Sequence, residues 1–375
     1  MDFHNMCNMQ NNGDAIIFNG KNLPLEQKKL PLLGNIQDGE VLVEITLATV
    51  CGSDVHTWLG HRPFPTPCIL GHEMVGKIIK LGNGIEKDFE GKELKIGDRI
   101  VWSMTVGCKE DDCFYCKNGL PQKCIRLFKY GHEKSDEEPY FSGGFAKYLI
   151  LKKNSDIFKI PDNLDDDEVA PLMCAGACVL DGFRISNFSK CNYLVVQGCG
   201  ALGLYACAFG KKLGAKTVIA LDKKQSRLDS AKDFGADHTI LVDEDSNYVK
   251  KILEMTNNEG VDCVIEVTGD PTVINSGLEM LRIGGKYIML GAIYPGSNFT
   301  IDSSKIIRNC IQITGLHNYS PESLGESLKI ILETKTEYPY KKMVGPIFDF
   351  SSDGVEKAFK SLDSKQSIRP GIMPK

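Results

Sequence analysis

The stretch NYLVVQGCGALGLYACAFGKKLGAKTVIALD, residues 192–222, leaves this chain little choice of architecture. An apolar, β-prone run enters Gly198-x-Gly200-x-x-Gly203, an apolar-periodic segment follows, and a second β-prone run ends at Asp222. That order predicts strand, tight turn, helix and strand, the repeating unit of a parallel sheet. The three glycines permit a tight turn, a close approach of backbone to a pyrophosphate, and close packing of helix on strand. Gly198, Gly200, Ala201, Leu202 and Gly203 are therefore candidate dinucleotide contacts. Asp222, about 20 residues on, can accept both hydroxyls of an adenosine ribose and would repel a 2′-phosphate, which favours NAD over NADP. Lys223 and Arg227 temper that preference, because a nearby cation tolerates phosphate, and Arg227 is kept as a cofactor candidate.

The alternation continues. SRLDSAKDFGAD reads as helix, HTILV as strand, VKKILEMTN as helix, VDCVIEVTG as strand, and VINSGLEMLRIGGKYIMLG as helix, turn and strand. Strands alternating with helices of this length call for a doubly wound parallel sheet. Val267-Thr268-Gly269 and Leu290-Gly291-Ala292 end two of the strands, where such sheets bind ligands, so Thr268 and Gly291 are candidate nicotinamide contacts. The competing reading is that these are ordinary tight turns.

A chain of 375 residues exceeds one ordinary core, so two unequal domains are expected. The N-terminal half is β-rich. AIIFNG (15–20), VLVEITLATV (41–50), GHEMVGKIIKLG (71–82), LKIGDRIVW (94–102) and SGGFAKYLIL (142–151) read as strands, residues 1–14 as a frayed polar extension, and 160–170 as a turn with a helix capped by Asp165. Prolines at 63, 65 and 67 make the segment before Ile69 an extended connection, and glycines at 71 and 76 let the backbone turn beside the residues next to them. No apolar run reaches the ~18 residues of a membrane span, and the N-terminus lacks the basic start and apolar stretch of a secretory signal, so a cytoplasmic protein is expected. A net charge of −5 with no large basic cluster argues against nucleic acid and for a small-molecule partner. Fourteen cysteines then read as reduced thiols and metal ligands.

Two groups of those cysteines stand out. Cys51, His72 and Glu73 offer the thiolate, imidazole and carboxylate that a catalytic zinc ion accepts together, with one position left for substrate. Ser53, Asp54 and His56 supply beside them the hydroxyl, carboxylate and imidazole of a proton-releasing site. Cys174, between two helices, is the candidate third protein ligand, with Cys178 as competitor; an inert buried thiol is the other reading. The second group is Cys108, Cys113, Cys116 and Cys124, four thiols within 17 residues. They can close on one tetrahedral ion and give a loop-rich lobe, about residues 105–128, its folding energy. The first gap is four residues instead of two, which leaves Glu110 and Asp112 as lesser candidates for the fourth ligand.

CGSDVH, GHE, the four-Cys lobe, APLMCAG and GCGALG occur here in the order found in zinc-containing medium-chain alcohol dehydrogenases, and the chain resembles that family over nearly its whole length. The resemblance implies a GroES-like β-rich catalytic domain (1–170, completed by a return segment 316–375) interrupted by a Rossmann NAD-binding domain (171–315), with the active site in the cleft between them. It implies catalytic zinc on Cys51, His72 and Cys174, Glu73 as an alternating fourth ligand, and Asp54 as the residue orienting His72. Ser53 would hold the alcohol proton and pass it through the ribose hydroxyls towards His56. Arg369, in KQSIRPGI, is a candidate pyrophosphate contact. A homodimer or homotetramer is the expected assembly. Gly52 departs from the pattern, since some members carry there a basic residue that grips pyrophosphate. GLPQKC followed by KYGHE is similar to a branch proposed for phosphonate catabolism.

The expected activity is interconversion of a small alcohol and its aldehyde or ketone, dependent on zinc and NAD. Two alternatives are a non-catalytic nucleotide-binding relative of the fold and a zinc-free enzyme of the quinone-reductase kind. His61, Arg62, Lys129 and His132 follow the zinc loop and the Cys lobe, and they suggest a polyol or an anionic hydroxy compound, a phosphonate among them, over a plain aliphatic alcohol. The competing reading is solvated surface residues or subunit contacts.

Overall fold

Val, Ile and Leu dominate the strand Val41–Thr49, which is buried along most of its length and serves as the spine of the N-terminal unit. In the computed structural model, which describes residues 12–32, 36–243, 247–291 and 296–374, this strand belongs to a seven-stranded sheet. One edge pairs antiparallel with Glu73–Leu81, so that Thr49 faces Glu73. The other pairs with Tyr148–Leu151 at residues 41–44 and with Arg369–Ile372 at residues 48 and 49. This register brings the positions around 51, 73 and 369 to one end of the sheet. Gly71 adopts φ +89°, a left-handed turn that L side chains rarely adopt. Gly76 answers a different need from the one expected: a Cβ there would stand 2.6 Å from the Glu44 carbonyl oxygen, so it permits strand-to-strand approach and not a turn beside the cluster.

Several local expectations are corrected. Between strand 41–50, which would deliver Cys51 to a loop, and the proline segment stands a helix, Gly52–Trp58, with Cys51 as its N-cap. Residues 12–14 join the first strand, Asn12–Phe18, and residues 1–11 of the expected extension lie outside the described residues. The strand expected over 94–102 shortens to Arg99–Trp102. Asp165 does cap a helix, Asp166–Val169, which tightens into a 3₁₀ turn, Ala170–Met173. In the Cys lobe a short helix, Phe114–Lys117, and a 3₁₀ turn, Pro121–Lys123, lie between the paired strands Thr105–Val106 and Phe128–Lys129.

By contact, residues 1–173 and 341–375 form one unit and residues 174–340 the other. The second unit holds a six-stranded parallel sheet whose middle strand, Cys191–Gln197, lies between Ala215–Asp222 and Val261–Glu266. His238–Leu241 extends one side, and Leu281–Met289 with Gln312–Gly315 the other. The spatial order is that of a doubly wound dinucleotide-binding sheet. Val195, Ile219, Leu221, Val264 and Tyr287 form its buried centre, each worth roughly 1.5–3 kcal/mol of burial. The return to the first unit comes at 341 and not at 316. Helix Pro321–Thr334 packs on Ala175–Ile185, and its Ser320 cap and Ser323 both bond the buried Asp181 carboxylate, which ties this segment to the Rossmann sheet. The expected strand end at Ala292 lies outside the described residues.

Candidate functional site

Asp54 organises the first cluster. At the third position of the helix that Cys51 caps, its Oδ2 accepts the Cys51 N–H at 2.9 Å, while Oδ1 accepts from Gly71 N and from His72 Nδ1, both at 3.1 Å. One buried carboxylate thus fixes two segments and one ring tautomer, and it leaves Nε2 as the His72 atom on offer to a metal ion. Cys51, His72, Glu73 and Cys174 each bring a ligand atom within 4.8 Å of the others. Cys174 can do so as the junction residue, bonded directly to buried Met173. Ser53 Oγ lies 3.1 Å from His72 Nε2.

The donor set fits a cation. Glu73 Oε2 accepts from Thr49 Oγ1 at 2.7 Å and pairs with Arg369 Nε at 2.8 Å without hydrogen-bond alignment. Its Oε1 is buried with no hydrogen-bond partner, a state costing about 1–3 kcal/mol unless something satisfies it. Burial pushes the Glu73 carboxyl up to about 8, against the pull of Arg369. Burial opposes charge on His72 too, yet the Asp54 carboxylate and its hydrogen bond outweigh it and raise the ring to about 10, so the environment is built for positive charge at this imidazole. Arg369, the candidate pyrophosphate contact, lies beside this cluster, with Nη2 3.7 Å from Cys51 Sγ, because its strand pairs next to Thr49.

The four lobe thiols also lie within 4.8 Å of one another. The longer first gap is absorbed where Lys109 turns at φ +57°. Cys124 Sγ accepts N–H groups from Cys108 and Arg126, both at 3.3 Å. Backbone N–H groups of Cys116 and Ile125 pull the Cys113 thiol down to about 6, whereas burial and its three neighbours push Cys116 to about 12. Only a cation among them would let all four stand together as thiolates. Glu110 and Asp112 are not part of the group; they pair with Arg126 Nη2 at 3.1 and 2.6 Å.

In the second unit the three glycines divide the work as expected from their spacing. Gly198 turns at φ +98° and a Cβ on it would stand 2.9 Å from Thr268; a Cβ on Gly203 would strike the Gly198 oxygen at 1.9 Å; Gly200 faces open space and caps helix Ala201–Lys212, with Leu202 half-buried in its first turn. Asp222 ends its strand, held by the N–H groups of Cys199 at 2.8 Å and Lys224 at 2.9 Å. Arg227 stands 3.9 Å from it and Lys223 pairs with Asp270. Asp222→Gly removes two ribose hydrogen bonds to a carboxylate at about 1.5–3 kcal/mol each, so kcat/KM with NAD should fall about a hundredfold or more, while use of NADP improves. Wild-type turnover of NADP equal to that of NAD would refute the role given to Asp222.

Sequence reasoning missed Glu266. It is fully buried at the end of Val261–Glu266, where Oε1 accepts from Thr268 N (2.6 Å), Thr268 Oγ1 (2.6 Å) and Gly269 N (2.9 Å), and Oε2 from Gly291 N at 3.2 Å. It ties together the two turns bearing Thr268 and Gly291. A carboxylate at the end of VDCVIE, directly after the apolar pair Val264-Ile265, was the available signal.

Of the four residues suspected of meeting substrate, two line up from the metal cluster. The His132 ring lies 5.1 Å from the His72 ring and edge-on to Phe64 at 4.4 Å, and Arg62 lies 4.7 Å above Phe64. Burial, then Lys129, holds His132 well below its ordinary pKa. His61 pairs with His56 instead, Nδ1 to Nδ1 at 3.4 Å, and burial followed by His61 depresses the His56 pKa. Lys129 is half-buried and its backbone N–H bonds Glu133 at 3.0 Å.

The alcohol dehydrogenase GroES-like domain matches residues 37–162, and the zinc-binding dehydrogenase domain matches residues 201–333. A sorbitol dehydrogenase of Halalkalibacterium halodurans is 29% identical over 356 residues, 93% of this chain and 95% of that protein. L-threonine 3-dehydrogenase of Escherichia coli is 29% identical over 345 residues, covering 90% and 92%. The solved alcohol dehydrogenase of Thermotoga maritima superposes with a TM-score of 0.91 at 29% identity, over 97% of this chain and 100% of that one. Among the described residues no helix is long and apolar enough to cross a membrane. With both domain types matched in order and relatives aligned nearly end to end, the chain belongs to the zinc-containing medium-chain alcohol dehydrogenases, oxidoreductases that act on CH–OH donors with zinc and NAD.

Proposed function

We propose that this enzyme interconverts a small polar alcohol, a polyol or an anionic hydroxy compound, and its aldehyde or ketone, with catalytic zinc held by Cys51, His72 and Cys174, Glu73 as the fourth donor, and structural zinc held by the lobe thiols. The observation that carries the substrate class is the row Arg62, Phe64, His132 running from His72. A pocket for plain alcohols needs few polar groups beyond the metal. Here a guanidinium with no carboxylate partner among the described residues stands at one end of the row. It suits bidentate, charge-assisted contact with a phosphonate or carboxylate.

A bound zinc ion supplies a Lewis acid for the alcohol oxygen, and NAD supplies the hydride acceptor. The protein's own residues do the rest. Asp54 holds His72 in one tautomer, Ser53 is placed beside His72 to take the alcohol proton, and His56 receives it on the way to solvent. Asp222 and the glycine turn grip the dinucleotide. The presence of both ligand sets argues against a non-catalytic relative and against a zinc-free, quinone-reductase-like enzyme.

The test compares kcat/KM for 2-hydroxyethylphosphonate, a four-carbon diol and 1-butanol in wild type and Arg62→Ala. Wild type should favour the first two, and the variant should lose about tenfold or more on the phosphonate alone, the worth of one charged hydrogen bond. A preference for butanol, or equal losses on all three, leaves a generic alcohol dehydrogenase.

A further inference from the structure

We propose that Nε2 of His132 accepts a hydrogen bond from a second hydroxyl of the substrate, which makes the enzyme selective for compounds carrying a hydroxyl on the carbon next to the reacting one. The proposal rests on the polar-alcohol reading above and assigns it to one atom. His132 Nδ1 lies 2.9 Å from the Tyr130 carbonyl oxygen. A carbonyl only accepts, so Nδ1 carries the hydrogen, and Nε2 of the neutral ring presents a lone pair. Among the described residues no hydrogen bond reaches Nε2; the residue is 6% exposed, and Nε2 is not one of its fully buried unpaired atoms, so it remains open to a ligand. An acceptor that a bound substrate covers and leaves unpaired costs about 1–3 kcal/mol, which a hydroxyl donor on that substrate recovers.

The ring is also held in advance of binding. Phe64 packs edge-on against it, and its carbonyl partner Tyr130 is fully buried, with the phenol bonded to Ser155 Oγ at 2.7 Å and Lys152 N at 2.9 Å and the ring packed between Phe128 and Trp102. Little side-chain freedom remains to be lost on binding, so the hydrogen bond contributes most of its worth. Position completes the case. The His132 and His72 ring centres are 5.1 Å apart, and His72 belongs to the ligand cluster where the reacting oxygen is expected. His132 therefore stands beside the place of that oxygen, and its one acceptor atom is assigned to the hydroxyl on the neighbouring carbon. A mono-alcohol of the same length would bury Nε2 with nothing to accept.

The measurement is the ratio of kcat/KM for 1,2-butanediol to that for 1-butanol, substrates differing by one hydroxyl. Taken within one variant, the ratio cancels losses of folding or metal. Wild type should give a ratio of about 10–100, the equivalent of one recovered acceptor. His132→Phe should bring it near one while changing 1-butanol itself only severalfold, and His132→Gln, which keeps an acceptor, should restore part of it. A high wild-type ratio that survives in His132→Phe overturns the assignment to His132 and leaves the polar-alcohol reading standing. A ratio near one in wild type overturns this proposal and the polyol form of the polar-alcohol reading, while the anionic form is decided by the Arg62→Ala comparison. Should His132→Phe fail to fold, the ratio in His132→Gln decides, and a value unchanged from that of a His132→Leu control counts against the proposal.

Discussion

Cys51→Ala should lower turnover about a thousandfold or more while the protein stays folded and still binds NADH. The loss follows from removing one donor of the cluster formed with His72, Glu73 and Cys174, since Lewis-acid stabilisation worth several kcal/mol corresponds to three or more powers of ten in rate. The fold should survive, because Cys51 caps only a seven-residue helix and Asp54 still holds Gly71 and His72. NADH binding should persist because the glycine turn and Asp222 belong to a unit built from residues 174–340 alone. Zinc measured by elemental analysis should fall from two per chain to one. Wild-type turnover in this variant would remove Cys51 from the mechanism, and one zinc in wild-type protein would leave one of the two clusters empty.

The second large effect is on stability. The lobe has little core of its own: Phe114, Tyr115, Leu120 and Ile125 are exposed, and of its thiols Cys113 and Cys124 are buried. A bound ion therefore takes the place of apolar packing. Structural zinc in small domains is worth about 10–16 kcal/mol of apparent binding energy. Cys113→Ser should lose one zinc per chain and lower Tm by about 10 °C or more, since each kcal/mol moves a domain of this size by roughly 2–4 °C. The remaining zinc and the fraction of turnover per folded molecule should change little. Unchanged Tm with two zinc ions retained would show that the lobe closes without its thiols.

What was legible in the chain was local. The glycine turn could be read because the three glycines fall within six residues between two β-prone runs, and the lobe because four thiols so close in sequence are easily brought together in space. The helix Gly52–Trp58 was hidden: its cap is a cysteine, and the Asp54 that completes the capping box was already read as chemistry. Glu266 was passed over because its partners Thr268 and Gly291 lie on two turns 23 residues apart. Helix Pro321–Thr334 was placed in the return segment and not in the second unit, since its attachment runs through Asp181, some 140 residues earlier. Arg369 shows the same limit. KQSIRPGI marks a basic residue, but only register against Thr49 tells that it faces Glu73.

That register also fixes an order of assembly during translation. One edge of Val41–Thr49 is covered by Tyr148–Leu151 only as far as residue 44, and residues 48 and 49 await Arg369–Ile372. On the ribosome, the contiguous segment 174–340 has emerged in full before those last partners appear, and domains fold as units as they emerge. The nascent chain can hold its dinucleotide turn while the sheet bearing Cys51 still has an open edge and Glu73 still lacks its guanidinium. The nucleotide half is finished first, and the metal-bearing half is sealed only when residue 372 leaves the exit tunnel.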